Sequence, residues 1–164
     1  MGGIAALMAC SLRAQEPSRL GLNLSVGAQP QAGVTLQVGN GFELRPSIIF
    51  SWERVAGNGA TGSSTFASYG LALDALFGAT HREAVRPYVG VGGTYLFLHA
   101  TNPSITGHQV GGAAFVGVRV RVVPRVHVYG EVAVNYVATR TPTSAWTDQL
   151  SLRTTPLGVL IYLK

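Results

Sequence analysis

The sequence predicts an all-β chain, with eight antiparallel strands joined up and down and closed into a transmembrane barrel. Three observations carry this expectation. Apolar and polar residues alternate with period two, tight turns alternate with longer loops, and an apolar composition comes without a stretch long enough for a spanning helix.

Three segments anchor the strand reading. Phe42, Leu44, Pro46, Ile48, Phe50 and Trp52 alternate with Glu43, Arg45, Ser47, Ile49, Ser51 and Glu53. Val116, Val118, Val120 and Val122 alternate with Phe115, Gly117, Arg119 and Arg121. Val126, Val128, Gly130, Val132, Val134 and Tyr136 alternate with His127, Tyr129, Glu131, Ala133 and Asn135. Successive side chains of a strand point to opposite faces, so each segment has one apolar and one polar face.

In chain order, the first strand is expected at Arg19–Ala28 and the second at Gly33–Gly39, ended by the turn formers Asn40-Gly41. The third covers Phe42–Glu53 and the fourth Thr65–Phe77, separated by a Gly/Ser/Thr-rich stretch, Ala56–Ser64. The fifth, Arg86–Leu98, and the sixth, Val110–Val122, flank a second long loop, Thr101–Gln109. Val123-Pro124-Arg125 turns tightly into the seventh, Val126–Ala138, and a third long loop, Thr139–Gln149, leads to the eighth, Ser151–Leu163. Short turns on one side and long loops on the other are the pattern of outer-membrane barrels. Two links depart from it: Gly78–Val85 is long for its side and Gln29–Ala32 short.

Composition narrows the solvent. Charged residues make up 12% of the 164 and hydrophobic ones 47%, with 21 glycines, whereas soluble domains carry roughly 25% charge. The longest helix-like apolar stretch, Met1–Leu12, falls short of the roughly 20 residues that span a membrane. Met1–Gln15 is expected to be a signal peptide lacking its basic start, with Ile4 to Ala9 as the apolar region and Ala14 near the cleavage point, which leaves 16–164 as the barrel. Its removal takes away Cys10, the single cysteine, so no disulfide is expected. The formal charge of +5 comes from scattered arginines rather than a basic run, so nucleic acid is not an expected partner.

The two faces decide the class. Glu43, Arg45, Asp74, Arg119, Arg121 and Glu131 fall on the polar face. They form a lumen charge network if carboxylates pair with guanidiniums, because buried charge is tolerated only when paired. The apolar face then meets lipid. Phe42 to Trp52 is ten steps, about 33 Å along the strand, which a tilt near 40° converts to the roughly 25 Å of an outward apolar band. An interfacial aromatic girdle is expected, with Trp52, Tyr95, Phe97 and Tyr136 toward the long-loop ends and Phe42 and Phe77 toward the short turns. Gly21, Gly27, Gly70, Gly90, Gly92, Gly111, Gly117 and Gly158 fall mostly on the crowded polar face, where they make space.

Arg86-Pro87-Tyr88-Val89-Gly90-Val91-Gly92 with Tyr95, Val128-Tyr129-Gly130-Glu131-Val132 and Asn135-Tyr136-Val137 resemble segments of the OmpA/OmpX-type family of small outer-membrane β-barrels, as does Leu44-Arg45-Pro46-Ser47. The resemblance covers Leu20–Lys164. It implies a barrel in the cell outer membrane of a Gram-negative-type bacterium, monomeric, inserted by the barrel assembly machinery, with outer-membrane lipid around it and extracellular loops that meet an unidentified ligand. Such barrels usually end in an aromatic residue on the lipid face; here the last strand reads Leu157, Val159, Ile161, Leu163, with Lys164 after it.

No catalytic role is expected. Some small barrels of this kind are lipid A acylation and deacylation enzymes, which need a Ser, a His and an acid on one patch. His81, His99, His108 and His127 are dispersed, and Tyr129 stands between His127 and Glu131 where a serine would be needed. No metal-ligand spacing occurs, and Gly90-Val91-Gly92-Gly93 lies inside a strand with no helix to make a phosphate loop, so no cofactor is expected. A structural or surface-interaction barrel acting through its loops is the expected function. The alternative is a narrow pore passing small ions or solutes through the charged lumen, and a soluble lipocalin-like binding barrel is disfavoured by that lumen's charge.

Overall fold

The computed structural model describes residues 20–27, 30–39, 41–55, 63–79, 84–101, 104–142 and 145–163. The expected signal segment, most of the loop Ala56–Ser64, and His81, Arg82 and Glu83 lie outside the described residues.

Eight strands follow one another: β1 Leu20–Val26, β2 Gln31–Gly39, β3 Gly41–Val55, β4 Ser64–Ala79, β5 Val85–Thr101, β6 Ile105–Val123, β7 Val126–Arg140 and β8 Thr147–Tyr162. Each pairs antiparallel with its neighbour, and β1 also pairs with β8, which closes the barrel. Closure removes the unpaired edges that would be costly in hydrocarbon.

The ladders are staggered. A row of paired residues runs from Asn23 through Gly33, Ser47, Ala72, Thr94, Gly111 and Val137 to Gln149, whereas Asn23 itself faces Leu160 on β8. The row returns eleven residues away along β8, and this stagger tilts the strands against the barrel axis.

Three loop expectations shrink. The expected loop Thr101–Gln109 contracts, because His99 pairs with Thr106 and Leu98 with Gly107. Likewise Thr147 to Leu150 pair with Thr139 to Tyr136, and β4 runs on to Ala79 into the long link. Polar side chains at a strand end do not prevent backbone pairing where the rim leaves the apolar layer, so composition placed these boundaries too early. The short link after β1 has the opposite consequence. β1 and β2 have only 7 and 9 residues against 15 in β3, and among the described residues Gln31–Ile49 is the last β2–β3 pair on that side.

The faces separate as the alternation predicts. Outward side chains are apolar and open, with Ile48 61% and Leu71 65% exposed, while inward Glu43 and Arg119 are 0% and 1% exposed. An apolar exterior over a polar interior inverts the arrangement of a soluble binding barrel.

Candidate functional site: a charged lumen

Two layers of paired charges cross the lumen. Nearer the short turns, Arg119 on β6 reaches across to Glu43 on β3, donating from Nη1 to Oε1 at 3.0 Å and from Nη2 to Oε2 at 2.8 Å. The Tyr162 hydroxyl joins them, donating to Glu43 Oε1 at 3.1 Å and accepting from Arg119 Nη1 at 3.0 Å. Two parallel N–H···O bonds suit the planar guanidinium to the carboxylate and fix its orientation.

The second layer centres on Arg45. Its Nε donates to Asp74 Oδ2 at 3.0 Å, its Nη2 lies 2.9 Å from the same oxygen, and its Nη1 lies 2.6 Å from Glu131 Oε1. The Tyr88 hydroxyl donates to Glu131 Oε1 at 2.7 Å. Aromatic faces flank the cations: Arg45 lies 5.3 Å from the Tyr129 ring centre and Arg119 5.4 Å from that of Tyr88, close enough for cation–π attraction. The Tyr129 hydroxyl in turn donates to Asn23 Oδ1 on β1.

Glycine makes room for these rings. A Cβ at Gly117 would come within 2.5 Å of Tyr88 Cζ, and one at Gly158 within 2.0 Å of Tyr129 Cζ. The tyrosines therefore lie flat over bare backbone, and the space-making reading of the inward glycines holds at both positions.

Of the six charges expected in the lumen, Glu43, Arg45, Asp74, Arg119 and Glu131 meet there. The expected pairing of Glu131 with Arg119 or Arg121 is corrected. Glu131 stands opposite Gly117 on β6, while Arg119 stands opposite Tyr129, so each long side chain finds its partner across the lumen instead of on the neighbouring strand. Arg121 does not join the network. It lies opposite His127 near the end of β6 and is exposed, because the chain has reached the short-turn rim. Sequence reasoning missed Arg86, which is 2% exposed, and missed Tyr88, Tyr129 and Tyr162 as partners; all four stand on the inward parity that alternation marks. Among the described residues, Arg86 is buried with Arg45 and Arg119, beside the buried carboxylates Glu43, Asp74 and Glu131.

The aromatic residues expected to form a girdle stand on the outer face. Phe42 and Phe77 pack at 5.2 Å near the short turns. Toward the long-loop end, Tyr95 meets Phe97 edge-on at 5.1 Å and Tyr69, an addition to the expected set, stacks on Phe97 at 5.6 Å. Trp52 and Tyr136 are also exposed there. Among the described residues, no three His, Cys, Asp or Glu side chains are grouped to hold a metal.

No family model matches the chain, and no curated protein matches it. Solved structures do. The chain is similar to neisserial surface protein A, with a TM-score of 0.63 and 14% identity over 88% of this chain and 93% of that one. It is also similar to a major outer membrane protein from Thermus thermophilus, with a TM-score of 0.54 and 16% identity over 88% of this chain and 98% of that one. The fold is therefore that of outer-membrane β-barrels.

Proposed function

We propose that the chain is a protein of the cell outer membrane whose lumen is closed by its own paired side chains and whose work is done at the cell surface, through the loops at the long-loop end. The observation that carries this reading is the crossing of the lumen at two heights, by Arg119–Glu43 and by Arg45–Glu131. An interior of eight strands is just wide enough for side chains to fill, and a bidentate pair across it supports a lumen closed to bulk flow.

No enzymatic role is proposed. Among the described histidines, His127 is buried beside the Tyr162 ring at 5.2 Å, and His108 is exposed on the outer face against Tyr95 and Phe97.

Planar-bilayer recording of the refolded chain tests the reading. A closed lumen gives no stable unit conductance. Steady channels that change with charge reversal at Glu131 or Arg119 would make the protein a narrow pore instead.

A further inference from the structure

The outward face is not uniform. Two ridges of outward side chains run side by side across the barrel: Ile48, Leu71 and Tyr95 in one register row, Pro46, Leu73 and Gly93 in the next. Between them lies a groove of about 930 Å³ that reaches from β2 to β6. Such a volume lies within the roughly 300–1,000 Å³ of small-molecule sites. The lower ridge stops at Gly93, which pairs with Gly112. A Cβ at Gly93 would meet only a backbone oxygen at 3.8 Å, so the space beside it is open.

Four ladder steps make the groove about 19 Å long. That is comparable with the depth of one leaflet, about 15 Å, or half of a hydrocarbon core roughly 30 Å thick. The stagger of the strands inclines it, so its β5 end rises toward the long-loop rim. There the Tyr95 hydroxyl lies 3.0 Å from His108 Nδ1. His108 stands opposite Arg140, the last residue of β7. Arg140 is exposed, rests 6.0 Å from the Trp146 ring centre and has no ion pair among the described residues. Asp148, the nearby acid of β8, is held by a hydrogen bond with Tyr136.

We propose that this groove seats one phosphorylated lipid of the outer leaflet, its acyl chain between the Ile48–Leu71–Tyr95 and Pro46–Leu73–Gly93 ridges and its phosphate at His108 and Arg140. The proposal rests on the outer-membrane reading above and adds a specific ligand site to it. The groove is apolar along its length, and His108 and Arg140 stand one outward row beyond its Ile48–Leu71–Tyr95 ridge, on the side of the long-loop rim, so an acyl chain and an anionic headgroup each have a place on the same face.

The test uses the full chain refolded in zwitterionic detergent, offered phosphatidic acid or phosphatidylcholine with the same acyl chains, with retained lipid counted by native mass spectrometry. Wild type should retain one phosphatidic acid with about five-fold preference, the weight of one cation beside an anionic headgroup. Gly93→Leu should lower retention of both lipids, because it fills the groove from the membrane side without touching the lumen. His108→Ala with Arg140→Ala should remove the preference and leave acyl retention. Val116→Leu, elsewhere on the same face, should match wild type. Equal retention of the two lipids by wild type, or unchanged retention by Gly93→Leu, would leave only nonspecific lipid contact and overturn the proposal. Unboiled samples on a denaturing gel separate the two readings: a heat-modifiable barrel with no lipid preference sinks the groove alone, while a chain that stays monomeric in water without detergent sinks the membrane reading.

Discussion

Glu131 on β7 and Arg45 on β3 lie 2.6 Å apart at the centre of the lumen, although no ladder joins their strands. Arg45 also holds Asp74, its direct partner across the β3–β4 ladder. One guanidinium therefore serves two carboxylates, and the two partners are not equivalent.

That asymmetry ranks two substitutions. Arg45→Met removes the guanidinium bonded to both Asp74 and Glu131 and should destabilise the barrel by about 3–5 kcal/mol, as breaking a buried pair does. Glu131→Gln keeps the shape and the Arg45–Asp74 pair and should lose about 1–3 kcal/mol. Urea unfolding of the refolded barrel in vesicles reads both. Equal losses would mean that Asp74 does not depend on Arg45.

Arg119 meets Glu43 through two hydrogen bonds, and the Tyr162 hydroxyl bonds to both partners. A cycle of Arg119→Met, Glu43→Leu and the double variant should give a coupling of about 1–3 kcal/mol, with the double variant more stable than either single one. Additive losses would mean that water rather than Arg119 neutralises Glu43, and would favour a hydrated channel.

Arg121 provides the contrast. It is exposed at the end of β6, and Arg121→Ala should change stability by no more than about 0.5 kcal/mol. A loss comparable with that of Arg119→Met would restore it to the network.

Gly158 carries the Tyr129 ring at a distance no Cβ could occupy. Gly158→Val should cost about 1–3 kcal/mol by overpacking, and much less when made together with Tyr129→Ala. Comparable losses in both backgrounds would place the strain in the backbone of β8 instead of the ring.

Trp52 and Trp146, the two tryptophans, are both exposed toward the long-loop end. In vesicles of brominated phospholipid, shallow bromines should quench their fluorescence more than deep ones, as for interfacial aromatics. Stronger quenching by deep bromines would shift the aromatic girdle into the hydrocarbon core.

The strand count and most side-chain parities were legible because period two is a local property; β8 is the exception, where a register shift opposite Tyr129 and Glu131 switches the outward set from Leu150 and Leu152 to Leu157 and Ile161. Phe42 to Trp52 and Val126 to Tyr136 display it without reference to any neighbour. The rim was less legible. Thr106 and Gly107 look like loop residues, yet they pair with His99 and Leu98, since a polar strand end differs from a loop only in having a partner. The ligand groove left no mark in the pattern either, because Gly93 reads as one more strand glycine until register sets it between Leu73 and Gly112.

What the sequence by itself determined is which side chains face lipid and which face the lumen, through alternation and the balance of a few charges. Only the tertiary structure decided who pairs with whom. Register places Glu131 beside Gly117 and the stagger of the closed sheet sets its height, so an arginine side chain long enough to cross a narrow lumen meets it from β3 instead of from the strand next door.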